Sequence, residues 1–261
     1  MWKAKQTMEA VMDSVATTTQ RLKTMNANAM TIANLHSKTQ FRPFENFAEL
    51  SKTLVNEWVN LIDSAAAAQR PAAFALAGGS TPAPIYRELD QALAQRAPSD
   101  VRLTATDERW VHDNDPQSNE GLFKKCLPLS YGKQWNLVSL KNAANTPEVA
   151  MEAINERLHQ QLPEAFSAVL LGMGADGHIA SLFPGAPVQA DGLDCLAVVH
   201  PQTHQTRISL SLPRLLQTEK IWLVITGNEK REVFENALMN NLPITNLLKQ
   251  AQCQIEVFWC P

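Results

Sequence analysis

Apolar positions along this chain switch repeatedly between two periods, and the alternation outlines an α/β protein. Phe47, Leu50, Leu54, Trp58, Leu61 and Ile62 fall three or four apart, a helical stripe that runs into an alanine-rich stretch. Residues 72–77 then form an apolar run with no polar member, which suits a strand buried on both faces. Further strand patterns lie at 101–106, 168–171, 208–212, 221–226 and 255–259, with helical patterns at 85–93, 118–127, 147–161 and 229–239. Strands alternating with helices predict a mostly parallel sheet with helices on both faces, in a single domain over residues 41–261. Residues 1–40 contain neither glycine nor proline and carry only a thin stripe of Val11, Val15, Leu22, Met25, Ala29 and Ile32. They read as an N-terminal helical extension that is loosely docked, mediates self-association, or lies upstream of a start at Met30.

Composition narrows the partners. With 19% charged residues, a net charge of -3 and a pI near 6.1, the chain offers no broad basic surface for nucleic acid. An anionic small molecule would need a local cluster of cations. Cys126, Cys195, Cys253 and Cys260 have no Cys-x-x-Cys spacing and no signal-peptide pattern precedes them, which fits free thiols in the cytoplasm. No apolar stretch approaches the roughly 18 residues of a membrane span. A monomer or a homodimer is expected.

The chemistry concentrates where strand patterns end. After the run Ala168 to Leu171 comes Gly172-Met-Gly-Ala-Asp-Gly-His-Ile-Ala-Ser-Leu-Phe-Pro184, a glycine-rich loop holding one carboxylate, Asp176, and one imidazole, His178. Gly172, Gly174 and Gly177 match Gly-x-Gly-x-x-Gly, but the long helix that a dinucleotide site needs is precluded by Pro184 and Gly185, so no cofactor is expected. Gly78-Gly79-Ser80-Thr81-Pro82 closes another strand pattern. Ser80 or Thr81 is expected to cap the coming helix with Pro82 in its first turn, turning free amides and the positive end of the helix dipole toward an anion.

Asp107-Glu108-Arg109-Trp110 follows a third strand pattern directly. Arg109 suits a bidentate grip on phosphate, and Asp107 either orients a sugar hydroxyl or, the favoured role, pairs with Arg109 and holds it. Arg207, at the opening of the 208–212 pattern, and Lys230, just past Thr226-Gly227-Asn228, can complete a cationic pocket. His200 and His204 are four apart, but Pro201 argues against the helix that would make them zinc ligands, and no metal site is expected. His36, His112 and His159 are assigned to the surface.

Five blocks, Leu76 to Pro82, Asp107 to Val111, Gly172 to Pro184, Arg207 to Ser211 and Thr226 to Lys230, resemble the 6-phosphogluconolactonase family in type and order, over the chain from about residue 41 onward. The resemblance implies a Rossmann-like fold shared with glucosamine-6-phosphate deaminases. It also implies hydrolysis of the phosphosugar lactone 6-phospho-D-glucono-1,5-lactone to 6-phosphogluconate in the oxidative pentose phosphate pathway. The alternatives are a deaminase, or a sugar-phosphate-binding regulator without catalysis. Deaminases carry a glutamate where this chain has Phe183 and typically an aromatic residue where it has Arg109; the regulators would bring a DNA-binding module, and none is evident.

Under this resemblance His178 activates a water and returns the proton to the departing ring oxygen, a pair of steps suited to histidine with its ordinary pKa near 6.5. Asp176 holds the loop or binds substrate hydroxyls. Arg207 and Lys230 clamp the phosphate with Gly78, Gly79, Ser80 and Thr81, and Arg109 binds either the phosphate or the oxyanion.

Overall fold

A strand with no polar side chain is stable only where both of its faces are covered, and the computed structural model places the most apolar runs at the centre of a sheet. The structure describes residues 38–261 apart from 95, 97–98, 129–134 and 187–191; the helices expected before residue 38 lie outside the described residues. Strands β1 (Thr39–Pro43), β2 (Ala72–Leu76), β3 (Val101–Ala105), β5 (Trp135–Leu137), β6 (Ala168–Leu171), β9 (Lys220–Thr226) and β10 (Gln254–Cys260) form one sheet in the order β1-β10-β9-β6-β2-β3-β5. Every pairing in it is parallel. β2 and β6 are buried at every position, so both faces of the sheet are covered there.

Helix α1 (Phe47–Ala67) shows how the stripe becomes packing. Asn46 caps it by accepting from the Glu49 amide, and Leu50, Leu54, Trp58 and Ile62 turn inward. Trp58 is fully buried, with its ring centroid 5.2 Å from Phe74, 5.5 Å from Trp222, 6.1 Å from Tyr86 and 6.5 Å from Trp135. One indole thus joins α1 to strands β2, β5 and β9 and to helix α2 (Ala83–Leu93). Helices α3 (Asn119–Cys126), α4 (Pro147–Gln161), α5 (Leu212–Leu216), α6 (Asn228–Glu235) and α7 (Ile244–Gln250) complete the layers. No helix among the described residues is long and apolar enough to cross a membrane.

The structure departs from the sequence pattern in a way that matters for function. The strand expected at 208–212 runs from Thr206 to Leu210 as β8, and it lies outside the parallel sheet, in a second sheet ordered β4-β8-β7 with antiparallel pairings. β7 is Cys195–Val199, and β4 is the three-residue strand Asp107–Arg109. The chain turns out of β3 at Thr106 to reach β4, and β8 ends where Ser211 accepts from the Arg214 amide and starts α5. Strand β1 is not evident in the apolar pattern because its alternation, Thr-Gln-Phe-Arg-Pro, suits an edge rather than the interior.

Replacing Trp58 by alanine leaves a cavity among four aromatic rings. Urea unfolding should show a loss of about 3–5 kcal/mol with an unchanged slope.

Candidate active site

The strand order itself creates an opening. From β2 the chain proceeds through β3 and β5 toward one edge of the sheet, whereas β6, β9 and β10 proceed toward the other, so connections leave the carboxyl ends of β2 and β6 in opposite directions. Between the loops that follow them lies a crevice of about 280 Å³. Gly78, Gly79, Ser80, Thr81, Asp107, Arg109, His178, Arg207 and Lys230 all line it, so the dispersed sequence candidates converge on one place. Asp176 stands behind them and reaches the crevice through His178.

The loop after β6 is built around that pair. Asp176 Oδ1 lies 2.5 Å from His178 Nδ1 and accepts from the His178 amide at 3.2 Å. Partial burial pushes the Asp176 carboxyl up, but the His178 hydrogen bonds outweigh it and hold the group below the usual carboxylate range. A carboxylate on Nδ1 puts the ring proton there and leaves Nε2 with a free lone pair, the state of a base. Gly174 is required by close approach: a Cβ there would stand 2.2 Å from His178 Nδ1 and 2.6 Å from Asp176 Oδ1. Residues 172–186 form turns and one isolated bridge, so no helix follows the third glycine of the Gly-x-Gly-x-x-Gly pattern.

The loop after β2 corrects one expectation. Neither Ser80 nor Thr81 caps the helix; Pro82 occupies the cap position and makes no side-chain bond. A cap must accept from an amide two or three residues on; the first of these for Ser80 is Pro82 and the second for Thr81 is Pro84, and neither proline has one. Gly78 is held to glycine by a neighbour, since a Cβ would sit 1.8 Å from Asn119 Oδ1. Asn119 lines the crevice and donates to the Asp107 carbonyl at 2.7 Å.

Two of the cations, Arg109 and Arg207, come from paired strands of the second sheet, and the third, Lys230, comes from helix α6. Asp107 does not hold Arg109, as expected, but faces Arg207 at 3.6 Å and accepts from Ser181 Oγ at 2.6 Å. The reason is register: Arg109 and Arg207 lie directly opposite each other on β4 and β8, with Asp107 opposite Ser209. Like charges so placed repel, and the Nε atoms of both arginines are buried without a protein hydrogen bond. Burial, countered by Asp107 and reinforced by Arg109, lowers the Arg207 pKa. Lys230 enters from α6, donates to the Met173 carbonyl at 2.6 Å, and is likewise lowered by burial, with Asp176 acting in the opposite sense. Three partly desolvated cations around one cavity favour a polyanionic ligand.

Glu108, flanked by two of these residues, is fully buried and points away from the crevice's chemistry. It accepts from the amides of Arg109, Asn119 and Glu120 and from Ser118 Oγ at 2.7 to 3.0 Å, with Lys141 at 3.5 Å. His200 sits in a turn, its Nδ1 accepting from the amides of Gln202 and Thr203, and His204 is exposed; the two do not share a helix. His112 and His159 are exposed as expected, and His36 lies outside the described residues.

Known proteins resemble this chain throughout the described region. Residues 45–259 match the family model of glucosamine-6-phosphate isomerases/6-phosphogluconolactonase. A 6-phosphogluconolactonase of Caulobacter vibrioides is 34% identical over 210 residues, 77% of this chain and 88% of that protein. One of Mesorhizobium japonicum is 32% identical, over 84% of this chain and 94% of its own length. Among solved structures, a 6-phosphogluconolactonase from Shewanella baltica superposes with a TM-score of 0.77 at 29% identity, covering 85% of this chain and 98% of that one. A monomeric glucosamine-6-phosphate deaminase has the same fold, with a TM-score of 0.70 at 17% identity over 85% of this chain and 97% of its own.

Glu108→Gln would turn an amide toward donors that now meet a buried carboxylate and remove one of the two carboxylates near Lys141, the other being Asp113 at 2.8 Å. Denaturant titration should register a loss of about 3–5 kcal/mol.

Proposed function

The chain belongs to the glucosamine-6-phosphate isomerase/6-phosphogluconolactonase family, and from that premise we propose that its crevice hydrolyses 6-phospho-D-glucono-1,5-lactone to 6-phospho-D-gluconate. The observation that carries the reading is the convergence of an Asp176-held imidazole with Arg109, Arg207 and Lys230 around a single cavity. One group accepts a proton and three neutralise a phosphorylated acid. The named lactonases, similar over most of their length, support the same assignment.

A lactone is an ester, and hydrolysis needs a positioned water, a base and stabilisation of the tetrahedral oxyanion. His178 Nε2 removes a proton as the water attacks the carbonyl carbon. The resulting imidazolium faces Asp176, which stabilises it, and it returns the proton to the ring oxygen as the carbon–oxygen bond breaks. The products are a carboxylic acid and a free hydroxyl; the acid then ionises. Arg207 and Lys230, with the loop from Gly78 to Thr81, hold the phosphate, and Arg109 adds positive charge to the wall shared by the phosphate and the developing oxyanion. Asp107 seats Arg207, which leaves it little freedom to orient a sugar hydroxyl. The enzyme acts in the cytoplasm, in the oxidative branch of the pentose phosphate pathway.

The deaminase alternative lacks an acid where the sequence comparison asks for one: Phe183 is an almost fully buried hydrocarbon ring beside His178. No described residue replaces it with a carboxylate in contact with the imidazole other than Asp176.

His178→Ala should lower kcat by roughly 10²- to 10⁴-fold without shifting the urea midpoint. A variant that still turns over lactone at the wild-type rate would remove His178 from the chemistry. Arg207→Ala and Lys230→Ala should each raise KM for the phosphorylated lactone about tenfold to a hundredfold, as expected for one lost charge-assisted bond, while KM for glucono-1,5-lactone changes little. Equal losses on both lactones would contradict the phosphate assignment.

A further inference from the structure

We propose that Phe183 is a positioning residue for this hydrolysis, a rigid spacer that sets the separation between the proton-accepting imidazole of His178 and the phosphate-holding guanidinium of Arg207. The proposal rests on the lactonase reading and adds what matches the site to a substrate in which the ring oxygen, C5 and C6 fix the span from the reacting carbon to the phosphate.

The geometry is a single ring touching both functional ends. The Phe183 centroid lies 4.8 Å from that of His178, with the planes at 55°, and the Arg207 guanidinium carbon lies 5.5 Å from the same centroid. A third contact fixes the ring from outside: His200 packs against it edge-on at 4.8 Å and 68°. His200 is itself anchored: its Nδ1 accepts from the amides of Gln202 at 3.2 Å and Thr203 at 3.1 Å. Phe183 is 2% exposed, so nothing but protein defines its position.

Both functional groups need this third support. His178 has one polar anchor, the bond from Nδ1 to Asp176, and one bond leaves a ring free to tilt; a flat face against it removes that freedom. Arg207 has long polar contacts, 3.6 Å to Asp107 and 3.4 Å to Ser181 Oγ, and the aromatic face completes its seat. The backbone from His178 to Phe183 is tied as well, since Ile179 and Leu182 bridge each other and the Leu182 amide donates to the Ile179 carbonyl at 2.9 Å. A carboxylate in the same place would pair with His178 and Arg207 and draw them together; a hydrocarbon ring contacts both and holds them apart.

The test uses the full chain, with Phe183→Leu and Phe183→Tyr assayed on 6-phosphogluconolactone and on glucono-1,5-lactone, and with the ring C–H resonances of His178 followed by NMR. Phe183→Leu should lower kcat on both lactones by about tenfold to a hundredfold, the scale of a misplaced catalytic group, and raise KM only for the phosphorylated one. It should also abolish the ring-current displacement of the His178 resonances. Phe183→Tyr, which keeps the flat face, should retain more kcat than Phe183→Leu. If Phe183 merely fills volume the order reverses, because leucine introduces no buried hydroxyl, and that result would overturn the proposal. So would kinetics within twofold of wild type in Phe183→Leu together with a lost ring-current displacement. A wild-type enzyme that hydrolyses neither lactone would instead overturn the functional reading on which the proposal rests.

Discussion

The site depends on one buried carboxylate that never meets the substrate. Glu108 gathers three backbone amides and a serine hydroxyl, and thereby ties the start of α3 to β4, the strand that carries Asp107 and Arg109. A helix start has unpaired amides and a positive dipole end, and a charged acceptor placed there satisfies both at once. Because Asn119 is the first residue of that helix, its side chain is delivered to the Asp107 carbonyl and against Gly78. One interaction therefore positions the loop after β2, the wall made by β4, and through β4 the register that sets Arg109 opposite Arg207.

That register is costly without a ligand. Two guanidinium groups face each other in a chain whose net charge is -3, each with a buried Nε that no protein atom satisfies, and Lys230 completes the ring from helix α6. Function explains why the charge is concentrated rather than spread: a phosphorylated lactone and the oxyanion derived from it bring the negative charge that these groups lack. The imidazole avoids the same conflict by being anchored to Asp176 and separated from Arg207 by the ring of Phe183. On the proposed roles, proton transfer and anion binding are kept apart by an apolar spacer while sharing one cavity.

Most of the parallel sheet was legible because its strands are buried on both faces and its helices carry stripes such as Leu50, Leu54 and Trp58. The glycine-rich loop with Asp176 and His178 was equally plain, since small residues clustered around two titratable ones at the end of an apolar run have few structural uses. What periodicity could not reveal is the second sheet. Asp107–Arg109 is three charged residues long and has no apolar pattern of its own; it is a strand only because β8 offers it a partner. The pairing of Asp107 with Arg207 in place of the nearby Arg109 is a diagonal contact across the β4–β8 pair, set by a register that neither segment carries alone. The helix cap missed at Ser80 and Thr81 shows the converse, a local rule overruled by a local fact, because Pro82 and Pro84 remove amides that such a cap would accept from.

The chain alone determined which residue types end each strand: glycines, one carboxylate with one imidazole, and isolated cations, all encoded locally and all recognisable from spacing. Only the tertiary structure decided which of them meet. The positions from Gly78 to Lys230 are joined by strand order and by hydrogen-bond register between segments far apart in the chain, and neither quantity is a property of any single segment. Local sequence carries side-chain chemistry and periodicity, whereas the distance between two remote groups is set by the packing of everything between them.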